Sequence, residues 1–219
     1  MKRNKAYTIG ITGGVGSGKS LALDYLKLKY NCALIKADDI GNEVKLKGRE
    51  CYKDIISLLG EDILSEDGEI DKCKMAEKIF ADDSLVNKVN DIIHPAVRKV
   101  IEKEIEDLSD EYEIIILEAA LLAEAGYFPI LNELWEISAD KEIRIKRLTE
   151  SRNYSLEKCE SIISKQHDTE FYSEADKNYR KSSQRNDYFG FRVILNNTTK
   201  EDLYDQIDIA MEEVNERIR

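Results

Sequence analysis

The stretch Thr8-Ile9-Gly10-Ile11-Thr12-Gly13-Gly14-Val15-Gly16-Ser17-Gly18-Lys19-Ser20 decides the fold. Its first five residues read as a strand, the next eight are a full G-x-x-x-x-G-K-[ST] pattern, and Leu21–Lys29 reads as a helix. Glycines at this spacing let backbone N–H groups point into a shared concavity that wraps a β-phosphate. The following helix directs its N-terminal partial positive charge at the same anion. Lys19 then bridges the β- and γ-phosphates, and the Ser20 hydroxyl ligates Mg²⁺. Gly13, Gly14, Val15, Gly16, Ser17, Gly18 and Leu21 complete the expected nucleotide site. A glycine-rich turn with an incidental lysine is the plainer reading, but it leaves the flanking strand and helix unexplained. The motif predicts a nucleoside triphosphate.

Working outward, Tyr7–Thr12 is joined by four more short apolar runs: Cys32–Ile35, Ile114–Leu117, Leu134–Ser138 and Phe191–Leu195. None alternates strictly, and segments of helical period lie between them. In one such segment Val97, Val100, Ile101, Ile105 and Leu108 are spaced by three and four. Strands of this kind are covered on both faces, which predicts a five-stranded parallel α/β sheet flanked by helices. The spacing is uneven: roughly 75 residues separate the second and third runs, more than a simple crossover needs. The expected plan is one domain with a core at 1–40, 112–145 and 188–219. A helical acceptor-binding insertion occupies 41–111 and a charge-dense lid occupies 146–187. Leu203, Ile207, Ala210, Met211 and Val214 give Lys200–Arg219 a closing helix.

Composition narrows the class. Among 219 residues, 44 are acidic and 33 basic, a formal net charge of -11 that repels nucleic acid in general. No apolar run approaches a membrane span, and the basic Met1–Lys5 is followed by no signal-peptide core. Cys32, Cys51, Cys73 and Cys159 are scattered, with no zinc or redox spacing. A soluble cytoplasmic protein is expected, acting on a small molecule without nucleic acid, membrane or an obligate protein partner.

Asp38 and Asp39 follow the second strand at its carboxyl end, the edge that faces the ligand crevice in an open α/β sheet. An Asp there accepts a hydroxyl proton or holds Mg²⁺ through water; the competing reading is a cap for a helix over Ile40–Leu46. Glu118 closes the third strand, where an acidic residue supports a metal or stands solvated. Arg144, Arg147 and Arg152 lie on or after a helix starting near Lys141, and an arginine swung over a triphosphate stabilises the transferred charge. His94-Pro95 is expected to mark a helix start, with proline in a tolerated first-turn position.

With these residues in place, the sequence resembles the dephospho-coenzyme A kinase family over nearly its whole length. Ile9–Ser20 is similar to the family's opening, and Ala37-Asp38 with Ile40 and Val44 to its D-x-D-x-I…V segment. Leu59-Gly60-Glu61-Asp62-Ile63-Leu64, Asp67-Gly68-Glu69-Ile70-Asp71-Lys72 and Ile79-Phe80 match a block specific to that family. Val89–Pro95 is similar to its L-N-x-[IL]-x-H-P, and Glu118–Gly126 to its D-x-[PA]-x-L-x-E-x-G. Arg147-Leu148 and Gln166 fall where its lid carries R-[LM] and a glutamine.

The resemblance implies transfer of the ATP γ-phosphoryl to the ribose 3′-hydroxyl of dephospho-coenzyme A. It casts Lys19, Asp38 and Arg147 as catalytic, and Asp38, His94, Glu118 and Leu122 as acceptor-binding residues. Four departures stand out. Lys36 replaces the first Asp of the D-x-D pair, and Arg144 stands where Gln is usual. The second lid arginine falls on Ser151, or on Arg152 after a one-residue shift that turns a helical side chain by about 100°. The stretch 167–190 is longer and more polar than the family's. A kinase of another nucleotide-like alcohol, or a nucleotide-binding paralogue without catalysis, is the alternative.

Overall fold

The computed structural model describes residues 5–219, so the basic Met1–Asn4 lies outside the described residues. In chain order the elements are β1 (Tyr7–Thr12), α1 (Lys19–Lys29), β2 (Cys32–Lys36), α2 (Ala37–Glu43), α3 (Tyr52–Leu59), α4 (Lys72–Phe80) and α5 (Asp83–Leu108). Then follow β3 (Ile114–Glu118), β4 (Glu133–Ser138), α6 (Lys141–Arg152), α7 (Leu156–Ile163), α8 (Thr169–Ser182), β5 (Gly190–Leu195) and α9 (Lys200–Ile218). The strands form one sheet in the order β2-β3-β1-β4-β5. β1 pairs in parallel with β3 and β4, and β4 with β5. Each expected strand is present, its ends moved by a residue at most.

The sheet explains the missing alternation. Tyr7, Ile9, Ile11, Ile114, Ile116, Trp135, Ile137 and Ile194 point to one face. There they pack with Ala22, Leu23 and Leu26 of α1 and with Leu203, Ile207, Ala210, Met211 and Val214 of α9. The residues between them, Ile115, Leu117 and Leu134, are equally buried on the other face. Each fully buried Ile, Leu or Val contributes about 1.5–3 kcal/mol. The central strands β1, β3 and β4 are thus buried on both faces.

The chain divides into two compact units. One comprises the described residues up to Ile35 together with Glu106–Arg219; the other is Lys36–Ile105. The second unit is helical, with Ile40, Val44, Ile55, Leu59, Ile63 and Met75 buried. Its Leu64–Ile70 bridge closes the turn at Asp67-Gly68, and Asp71 caps α4 by accepting from the N–H groups of Cys73 and Lys74.

Two local expectations fail. His94-Pro95 starts no helix: α5 runs unbroken over 26 residues with Pro95 inside it. Proline deletes one i→i−4 bond, but Val89, Val97 and Ile101 bury one stripe of this helix on both sides of the gap, and burial outweighs the lost bond. One residue from the vacated Asp91 carbonyl, the Cys51 thiol donates to the Ile92 carbonyl at 3.6 Å. Likewise, α2 begins at Ala37 with Lys36 as its N-cap and no side-chain cap bond, rather than at Ile40. Asp38 and Asp39 therefore sit inside its first turn, where negative charge suits the helix dipole. Neither is the cap residue.

Candidate functional site

Register brings the site together. Parallel pairing sets Ile11 beside Glu118 and Thr12 beside Glu136, so two carboxylates flank the strand end that feeds the Gly13–Ser20 loop. The chain runs from β1 out to β2 and, from β3, crosses to β4 on the other side. β1 is thus the switch point where a crevice opens at the carboxyl edge.

The loop's carbonyls face its supports. The Val15 carbonyl accepts from Arg144 Nε at 2.9 Å, and the Gly16 and Ser17 carbonyls accept from Arg147 Nη1 at 3.3 and 3.4 Å. Asn196 Nδ2 donates to the Ser17 carbonyl at 2.8 Å. In a trans peptide the next N–H points opposite to the carbonyl, so these contacts turn the Gly16 and Gly18 N–H groups the other way. Gly18 has φ of 94°, and a Cβ there would collide with the Asn196 amide, so only glycine fits. α1 then starts with no side-chain cap and no acidic residue in its first turn. Its first internal bond runs from Ala22 N–H to the Gly18 carbonyl at 3.2 Å, which leaves the N–H groups of Lys19, Ser20 and Leu21 ahead of the helical ladder. Such an end is built for an anion.

Lys19 forms an ion pair with Glu118, whose side chain is only 11% exposed. The sequence marked both residues but not their pairing, which lies 99 positions apart. Ser20 is exposed at the loop's end, while Leu21 is half-buried. A hydroxyl at that place suits a hard cation that arrives with phosphates and keeps several waters.

The other expected residues differ in setting. Leu122 is 1% exposed and lies against Gly10 and its neighbours; it packs beneath the site and offers no surface to a ligand. Arg147 does not stand free over the loop: it also donates to the Asn196 carbonyl at 2.9 Å and braces the loop from behind. Ser151 donates back to the Arg147 carbonyl at 2.6 Å, and Arg152 is exposed at the end of α6. Asp38 is exposed and His94 half-buried in the helical unit. Near Asp38 in the same unit, burial lowers the Lys45 pKa; Lys72 lowers it further and the Asp38 carboxylate opposes both.

Sequence reasoning missed Asn196, and it marked Arg144 as one of three arginines near Lys141 without its contact to Val15. Asn196 begins the polar run that follows β5, at the same carboxyl edge that singled out Asp38, and that edge rule was the available signal. The polar stretch 167–190 also finds its use. Arg185 donates to the Pro129 carbonyl at 2.6 Å and pairs with Asp187, while the Tyr188 hydroxyl donates to Asp176 at 2.8 Å. The Tyr188 bond ties α8 to the segment that enters β5, and Arg185 ties that segment to Pro129.

Comparison with known proteins supports the fold and names a family. A solved structure of TT1252 from Thermus thermophilus shares the fold, with a TM-score of 0.74 and 23% identity over 96% of this chain and 98% of that one. A dephospho-CoA kinase structure from Campylobacter jejuni superposes with a TM-score of 0.65 and 19% identity, covering 97% and 98% of the two chains. In sequence, the dephospho-CoA kinase of Moorella thermoacetica is 35% identical over 72% of this chain and 74% of its own. That of Shouchella clausii is 34% identical over 65% and 72%. The family model for dephospho-CoA kinase matches residues 7–182, from the first residue of β1 to the last of α8. A match that spans the phosphate loop, the helical unit and the α6–α8 segment together leaves one assignment: the chain belongs to the dephospho-CoA kinase family.

Proposed function

We propose that the protein transfers the γ-phosphoryl group of ATP to the ribose 3′-hydroxyl of dephospho-coenzyme A, releasing coenzyme A and ADP, in the cytoplasm. The observation that carries this reading is the uncapped, acid-free start of α1 behind Gly13–Ser20, in a chain whose family is that of dephospho-CoA kinase.

The loop amides and the N–H groups of Lys19, Ser20 and Leu21 bind the phosphates. Lys19 exchanges Glu118 for the β- and γ-phosphates, and Glu118 is the resting partner that keeps the ammonium in place. Mg²⁺, held by the Ser20 hydroxyl, supplies neutralisation of charge on the phosphates. Asp38 takes the proton from the 3′-hydroxyl. The 3′-oxygen forms the new P–O bond as the bond from the γ-phosphorus to the β–γ bridging oxygen breaks, and ADP leaves with that electron pair. Arg147 contributes positive charge close behind the loop and keeps its carbonyls turned away from the phosphates. His94 and Glu118 serve acceptor binding, to which Leu122 contributes through packing alone.

The test is ADP release by the purified protein with Mg²⁺, with and without dephospho-coenzyme A, and with the phosphorylated product identified. Release that depends on the acceptor and yields coenzyme A is expected. Equal release in both conditions would remove this reading.

A further inference from the structure

Both backbone groups of Val15 are held by side chains from outside the loop. Its N–H donates to Gln166 Oε1 at 3.1 Å, and its carbonyl accepts from Arg144 Nε at 2.9 Å. Arg144 Nη2 donates to the same Gln166 oxygen. Two side chains 22 positions apart, one on α6 and one between α7 and α8, thus close a ring around one loop residue. The antiparallel set of carbonyl and following N–H in a trans peptide then fixes which way the Gly16 N–H faces.

Arg144 is seated for this. Its guanidinium lies over Gly14, where a Cβ would collide with it. Burial lowers its pKa from the ordinary arginine value, and the Glu136 carboxylate opposes that. Glu136 is 5% exposed, and burial raises its pKa; side-chain hydrogen bonds from Thr169 and Ser138 oppose that shift, as does the charge of Arg144. The segment that carries Gln166 is fastened as well. His167 Nε2 lies 3.0 Å from Glu124 Oε1, and the Thr12 hydroxyl donates to the Tyr172 hydroxyl at 3.4 Å. A glutamine at 144, the residue expected from the family resemblance, has neither the fork to hold Val15 and Gln166 at once nor the charge that acts on Glu136.

We propose that Arg144 is a positioning residue: it sets the Val15–Gly16 peptide for triphosphate recognition and ties that geometry to Gln166. The phosphate loop and the α7–α8 junction then order together. The proposal rests on the phosphoryl-transfer reading only in taking the loop as the triphosphate site. It concerns ATP capture and not bond breaking, so its loss belongs in KM.

The experiment uses Arg144→Gln, Arg144→Lys and Gln166→Ala in the full chain. It combines ATP calorimetry without acceptor, hydrogen exchange of segments 13–20 and 156–172, and steady-state kinetics. Arg144→Gln is expected to weaken ATP binding and raise its KM about 10-fold, as the loss of a charged hydrogen bond does. kcat should stay within about 3-fold, and exchange at 156–172 should quicken in the free protein. The Arg144→Gln/Gln166→Ala double variant should be no worse than the worse single one, because both break one ring. Arg144→Lys keeps the charge beside Glu136 but lacks the fork, and should share the raised KM with a wild-type melt. Wild-type ATP binding and exchange in Arg144→Gln would overturn the proposal, as would full recovery by lysine. A fall in kcat at constant KM would overturn it too, by placing Arg144 at the transferred group. Failure to phosphorylate dephospho-coenzyme A would count against the acceptor assignment alone, since calorimetry and exchange need no acceptor.

Discussion

α1 and α9 follow parallel strands, share one apolar cluster and end their burial on the same sheet face, yet they begin in opposite ways. α9 opens with a capping box: the Asp202 N–H donates to Thr199 Oγ1 at 3.1 Å, and the Thr199 N–H donates to Asp202 Oδ2 at 3.3 Å. Glu201 and Asp202 add negative charge to its first turn. α1 opens at Gly18 in the left-handed region with neither cap nor acid. A missing cap costs about 1 kcal/mol. The same chain caps α9 twice over and leaves α1 open, and in the proposed reading a nucleotide's phosphates complete it. Occupancy at 100 times Kd would add about 2.7 kcal/mol to stability.

Breaking the support under α1 should have the largest effect. Arg147→Ala removes the donors that hold the Gly16 and Ser17 carbonyls and the Asn196 carbonyl. Turnover should fall about 10³-fold, since three charge-assisted hydrogen bonds of about 1.5 kcal/mol each hold those carbonyls. Arg152, exposed at the end of α6, should tolerate alanine with little change. Single-turnover assays on the two variants rank them; the reverse order would move the charge-stabilising role to Arg152.

Next comes Lys19→Ala, with a loss of about 10²–10³-fold in turnover, that of one electrostatic donor. It should also lower the melting temperature, because Glu118 stays buried without its cation. Adding Glu118→Gln should restore part of the melt and none of the activity. Unchanged ATP affinity in Lys19→Ala would defeat the assignment of the loop.

Asp38→Asn tests the helical unit. Asp38 is not the N-cap of α2, so the amide sacrifices no cap bond, and the fold should survive. If the carboxylate takes the acceptor's proton, kcat should fall toward the lower part of the range of about 10²–10⁴-fold for a general base, with ATP binding unaltered. A folded variant at wild-type turnover would remove Asp38 from the reaction.

How far the sequence carried depended on the range of the interaction. The strands were legible because each is a short, mostly apolar run without strict alternation, and β1, β3 and β4 are buried on both faces. The phosphate loop was legible because its glycines, lysine and serine are contiguous. Pro95 misled because a local rule about proline knows nothing of the apolar stripe that carries α5 through it. Asp38 misled as a possible cap because helix starts are fixed by one residue's φ and ψ, which composition does not set. Lys19 with Glu118, Val15 with Gln166, and Ser17 with Asn196 are pairs 99, 151 and 179 positions apart, with no periodicity to announce them. Arg144 showed as a departure from family pattern, but its role needed the fold.

The smallest effect should come from the α9 side, and it gives the comparison its control. Thr199→Ala deletes the hydroxyl that accepts from the Asp202 N–H and leaves that donor to water, since the start of α9 is exposed. Loss of a threonine cap costs about 1 kcal/mol, within a range of about 0.5–2. The apolar stripe from Leu203 to Val214 is untouched, so the helix should stay formed and the loss should show only in the melt. ATP affinity and turnover should match wild type, because Thr199 donates nothing to the loop. Addition of phosphate or ATP should raise the melting temperature of this variant by the same increment as wild type, while Lys19→Ala should lose most of that increment. A Thr199→Ala protein with weakened ATP binding would show that the two helix starts are coupled through Asn196. An anion would then complete both ends and not α1 alone.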